Sequence, residues 1–213
     1  MHTYFVWVAG FLFALTLWSF SDNLVWNVGQ PSNSDPKFIV HGLFSLGWMA
    51  VLFTQAFLIN RRSVSLHRQV GWLAAAMALG VTVSTLYVFV DVWRGWENMG
   101  AIPRANRLLL PSFAVLVLLG VLLRHKMDWH RRAMLMATFY MLEPVISRSL
   151  DPLEQLLGPA STATLDEIWM SVAIVTWNAL FVSLFIYDVI TTRRIHPVTW
   201  GGTLWFFVVW SVI

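Results

Sequence analysis

The chain has 213 residues, 58% of them apolar and only 12% charged, with a formal net charge of +3 and no cysteine. A soluble domain carries about 25% charged residues, so composition points to a fold solvated by lipid, not water. Without cysteine there are no disulfides, thiolate metal sites, iron–sulfur clusters or covalent haem attachment. The basic residues lie in short clusters between apolar runs, which is no footprint for nucleic acid.

A hydrocarbon core about 30 Å thick takes roughly 17–25 apolar residues per helix. Such runs recur at 4–21, 38–59, 70–92, 108–124, 132–149, 168–190 and 198–213. Helices are expected, because the runs lack the alternation of membrane strands. The first run has no basic leader and no small-residue cleavage site, so it is read as a retained span. Residues 22–37 are rich in turn formers and predict a loop. Span two opens near His41 and ends before Arg61 and Arg62. His67 and Arg68 precede span three, and residues 93–107 suit a short interfacial helix. A basic hairpin with Arg124, Lys126, Arg131 and Arg132 leads into span five, which holds Glu143, Pro144 and Arg148. Residues 150–167 contain Thr164 and Glu167 in capping-box spacing before span six. Asn178 falls mid-span and is expected to bond to another helix. Arg193, Arg194 and His196 precede the last run. That run ends apolar at Ile213, and is expected to be short, tilted or packed on a partner.

The 2–3, 4–5 and 6–7 connections carry most of the Lys and Arg, while the opposite connections carry most of the acids. The positive-inside rule then puts the N-terminus inside and the C-terminus outside. The expected fold is all-α: one transmembrane domain over 1–213, a bundle of about seven helices. Trp26, Trp93, Trp96, Trp129, Trp169 and Trp200 fall at span ends as interfacial anchors. No span contains a Gly-x-x-x-Gly pair, so packing is expected to rest on Ala, Ser and aromatic surfaces.

Two segments echo each other, LHRQVGWLAA from residue 66 and WHRRAMLMAT from residue 129. The echo predicts that His67 and His130 lie at one depth. Imidazole pairs ligate haem iron from opposite faces, so these two are the candidate haem b and metal ligands. Arg68, Arg131 and Arg132 are candidates for the propionates. The bland alternative is that His and Arg at helix mouths snorkel to anionic headgroups. A second constellation comprises His41, Asp91, Glu143, Arg148 and Asn178, with Trp93 and Trp169 at its rim. Glu143 is expected to pair with Arg148 or His41, forming either an outward-facing pocket or a packing salt bridge. A retinal Schiff base is excluded, because Lys37 and Lys126, the two lysines, lie outside span seven. Nor is there a His-x-x-x-His, phosphate-loop or Gly-x-Ser-x-Gly pattern.

HGLFSLGW from His41, Gln55, SLHRQVGWLAAAM and WHRRAMLMATFYMLEP together resemble a set of uncharacterised bacterial multi-span membrane proteins with His-Arg-x-x-Gly helix starts. That arrangement is loosely similar to small membrane-bound b-type cytochromes. The resemblance implies a bacterial inner-membrane location, bound haem b and a redox partner. Three readings stay open: an electron carrier, a transporter or proton-binding protein using the outer pocket, and a non-enzymatic subunit of a larger membrane complex. Lipid is the expected partner in each, and no nucleic acid.

Overall fold

The computed structural model describes the backbone of residues 3–157 and 162–213, and the side chains outside 157–167, 169 and 170. Trp169, Thr164 and Glu167 therefore lie outside the described side chains. The order is α1 (Thr3–Ser19), α2 (Pro36–Asn60), α3 (Val64–Asp91), α4 (Ala101–Leu122), α5 (Met127–Tyr140), α6 (Glu143–Ser147), α7 (Asp151–Leu157), α8 (Thr162–Thr192) and α9 (Pro197–Ser211). Among the described residues there is no strand. A π turn over Asp22–Trp26 and short 3₁₀ turns at Pro31–Asn33 and Trp96–Asn98 shape the connections.

Among the described residues, four stretches are long and apolar enough to cross a membrane alone: α2, α3, α4 and Ser171–Thr192 of α8. The other apolar runs form shorter helices. α1, α5 and α9 have 17, 14 and 15 residues, about 21–26 Å at 1.5 Å per residue. Outward faces are apolar: Trp72 is 81% and Trp7 77% exposed, a surface that suits hydrocarbon and not water.

α5 is the hub. Its residues from Arg132 to Tyr140, Met134 alone excepted, are buried, and it packs against α4, α9 and α1. A helix enclosed on every side has no solvated face for its polar groups, so Arg132 and Thr138 need partners inside. The expected span over 132–149 is broken at Met141–Leu142, and α6 begins at Glu143. The cause is Pro144, which has no N–H to give Tyr140 and would press its ring on that carbonyl. One carbonyl orphaned by the break finds a side chain. The Trp177 indole donates to Phe139 O at 2.8 Å. The Tyr140 hydroxyl donates to Gly202 O at 2.7 Å, tying α5 to α9.

Packing depends on glycine more than the sequence reading expected. A Cβ on Gly80 would land inside the Phe44 ring, so α3 approaches α2 only because that atom is missing. Gly120 plays the same part for α4, with Met134 and Ala133 of α5 against it.

The α8–α9 turn is held by Asp188, fully buried like Arg132. Asp188 accepts from Arg132 Nε at 2.7 Å, the His196 backbone N–H at 2.9 Å and the Thr199 hydroxyl at 2.6 Å. His196 caps α9 in turn, its Nδ1 accepting from the Val198 N–H at 3.2 Å, with Pro197 in the first turn.

Candidate functional site

His67 and His130 hold equivalent places, each the fourth residue of its helix. Because α3 and α5 flank one cleft, their rings meet with centroids 6.3 Å apart and planes at 90°. The cleft is lined by Trp48, Leu52 and Gln55 of α2, His67, Gly71, Ala74 and Ala75 of α3, Val117 and Val121 of α4, and His130 and Met134 of α5. The cavity measures about 100 Å³, smaller than a typical cofactor pocket.

Each imidazole has its own setting. His130 Nδ1 lies 2.9 Å from Gly120 O; donating there fixes the tautomer that leaves Nε2 with a free lone pair. His67 Nδ1 is buried with no hydrogen-bond partner, and so are both polar atoms of the Gln55 carboxamide. Gly71 opens the wall: a Cβ there would meet only Gln55 Nε2, at 3.9 Å. Trp48 is fixed by an indole bond to Thr138 Oγ1 at 3.1 Å and an edge contact with Phe113.

Two neighbouring imidazoles are a donor set that haem iron can take. At the length typical of a metal–imidazole bond, ~2.0–2.1 Å, and with ~1 Å from nitrogen to ring centre, two imidazoles on one ion stand roughly 6 Å apart between centroids. The observed separation of 6.3 Å is close to that spacing. The cleft is lined mostly by apolar side chains, and Gly71, Ala74 and Ala75 contribute only small ones.

The arginines divide. Arg132 is committed to Asp188 and also donates to Asp128 O at 3.1 Å. Arg131 pairs with Asp128 and lies over the Phe5 and Tyr187 rings. Both arginines, which the sequence offered for propionates, thus already have an anionic partner within the protein. Burial works to raise the Asp128 carboxyl, but Arg131 and Arg132 outweigh it and hold the group below the usual carboxylate range. Arg68 is exposed and makes no ion pair among the described residues.

The outer constellation does not converge as expected. Glu143 pairs with neither Arg148 nor His41; its Oε2 accepts from Asn106 Nδ2 at 2.9 Å. The break before α6 sets Glu143 in a new helix's first turn, beside α4. Arg148 reaches Asn23 at 2.5 Å and Asp22 at 3.9 Å. His41 bonds Ser84 at 3.1 Å. Asp91 takes Lys37 at 2.9 Å, and Trp93 lies under Arg107. Asn178 donates to Ile174 O of its own helix at 2.7 Å, not to a neighbour.

The sequence reading passed over Asp188, Thr199, Asn106 and Gly120. Asp188 had a signal, a lone acid in the long apolar run of α8. Gly120 had none, since its carbonyl matters only once α4 meets α5. Compared with known proteins, the chain matches no family model, no curated protein and no solved structure.

Proposed function

We propose that this chain is a multi-pass inner-membrane protein that holds haem b between His67 and His130 and serves as a one-electron carrier. The 6.3 Å approach of those two imidazoles across an apolar cleft is the observation that carries this reading. Bound there, haem supplies a one-electron couple whose potential is set by its axial imidazoles and its burial. His67 and His130 would hold the iron, the Gly120 carbonyl holds the His130 tautomer, Trp48 and Val117 would exclude water, and exposed Arg68 would be the arginine left to pair with the propionates. In the membrane the chain crosses seven times, with α5 and α6 together forming the fifth crossing. The basic connections lie inside, as does the N-terminus, and the C-terminus lies outside.

The test is an absorption spectrum of the detergent-purified protein. A Soret band that shifts on reduction is expected, and is lost in His67→Ala and His130→Ala with the fold retained. A folded, colourless wild type that takes up no added haem refutes the reading. Terminal tags on the same face of sealed vesicles refute the odd number of crossings.

A second reading draws on the broken α5–α6 helix, since interrupted helices build ion and substrate sites in transporters. There Glu143 binds a proton or small molecule. Ligand binding unchanged in Glu143→Gln refutes it.

A further inference from the structure

Unpaired nitrogens and free lone pairs collect around one small space. His67 Nδ1 is buried without a hydrogen-bond partner, and His130 Nδ1, beside Gly120 O at 2.9 Å, leaves Nε2 with its lone pair. Both residues line the cavity of about 100 Å³, and so does Met134, one helical turn beyond His130. The Gln55 main-chain carbonyl interacts with the His67 ring as the Gly120 carbonyl does with the ring of His130. A backbone carbonyl that takes one ring N–H and leaves the other nitrogen free is the common support of a metal-ligating imidazole. A buried nitrogen left without any partner carries its full desolvation penalty, which a bound ion relieves.

We infer that this cavity, in the chain without haem, is a site for one copper(I) ion, ligated by His67 Nδ1 and His130 Nε2, with the Met134 thioether as a weaker third donor. The inference goes beyond the haem reading: it needs the two imidazoles and no macrocycle. Geometry selects the ion. With ~2.0–2.1 Å from metal to nitrogen and ~1 Å from nitrogen to ring centre, imidazoles opposite one another on an ion have centroids about 6 Å apart, whereas a tetrahedral angle brings them to about 5 Å. The 6.3 Å seen here is the near-linear case, which copper(I) accepts and tetrahedral zinc does not. Charge points the same way. Among the described residues no acid lines the cavity, so a singly charged ion is the least costly to bury there. A thioether, moreover, is a donor that selects copper(I).

For the experiment, the full chain is produced in a haem-deficient host with and without added haem and purified in detergent. The Soret region of the first preparation scores the haem reading. The second, haem-free, is titrated with copper(I) against the chromogenic chelator bicinchoninate, with helicity followed by circular dichroism. One equivalent is expected to bind, with X-ray absorption showing two imidazole nitrogens nearest the metal. Met134→Leu, which keeps the bulk of the wall, is expected to bind about 10–100-fold more weakly, and His67→Ala and His130→Ala, each lacking a principal ligand, to lose more than that. His125→Ala removes an exposed histidine outside the cavity and binds as wild type. A haem-free wild type that takes up no copper(I), or that prefers zinc, overturns the inference, as does undiminished affinity in His67→Ala or Met134→Leu. Affinity lost in His125→Ala also overturns it, by showing that the ion sits on the surface. Because haem is scored on its own preparation, either reading can fail without the other.

Discussion

Replacing Asp188 by Asn is the sharpest test of how this fold is held together. In the native chain one carboxylate oxygen takes Arg132, through Nε at 2.7 Å and Nη2 at 2.5 Å, while the other takes the His196 N–H and the Thr199 hydroxyl. Both side chains of the ion pair are fully buried. An asparagine removes the charge and turns one of those two acceptors into an N–H₂ donor, so one group of donors meets a donor. Arg132 is then a buried cation with only the exposed Asp128 near it. Breaking such a pair on one side costs about 3–5 kcal/mol, roughly a 10²- to 10⁴-fold shift in the folding equilibrium at 1.4 kcal/mol per decade. Unfolding in mixed micelles, followed by tryptophan fluorescence, measures this directly. The double variant Arg132→Met/Asp188→Asn should recover much of the loss, because it removes the stranded cation while the asparagine oxygen still accepts from the His196 N–H and the Thr199 hydroxyl. An Asp188→Asn protein as stable as wild type would show that the network does not hold α8 and α9 to α5.

Three further outcomes are expected. Gly71→Leu points a side chain into open cleft, so it should abolish haem uptake while leaving the thermal midpoint of the haem-free protein near wild type; unchanged uptake would place the ligand elsewhere. Burial holds the His196 imidazole below its ordinary value of 6.5, with Arg132 adding to the effect, and the neutral ring caps α9. A depressed folded value means the stabilisation is complete above pH 6.5 and drains as pH falls through the folded value; melting across pH should show this slope, and His196→Asn, a cap that does not titrate, should flatten it. Glu143→Gln keeps an oxygen for Asn106 and should cost less than about 1 kcal/mol, whereas Glu143→Leu strands a buried carboxamide at about 1–3 kcal/mol. Equal losses in the two variants would mean that Glu143 contributes by its charge.

Local chemistry made much of this protein legible from the chain. Apolar runs of spanning length, sparse charge and turn-rich connections point to an all-helical fold with apolar outward faces, because hydrophobicity and backbone satisfaction are properties of each segment alone. The His67/His130 pairing was also within reach, since a repeated His-Arg at two helix starts puts both residues at the same register. Three things waited for the tertiary structure. Pro144 marked a kink, but only a neighbour that catches a freed carbonyl, Trp177 on Phe139 O, decides that α5 ends outright. Arg131 and Arg132 looked available at a helix mouth until burial of α5 committed them to Asp128 and Asp188. Glu143 found Asn106 and not Arg148, because the helix break changed which neighbour it faces. Segment identity is written in short-range composition, whereas the partner of a buried polar group is chosen by which helices meet, and that choice is made only when the bundle closes.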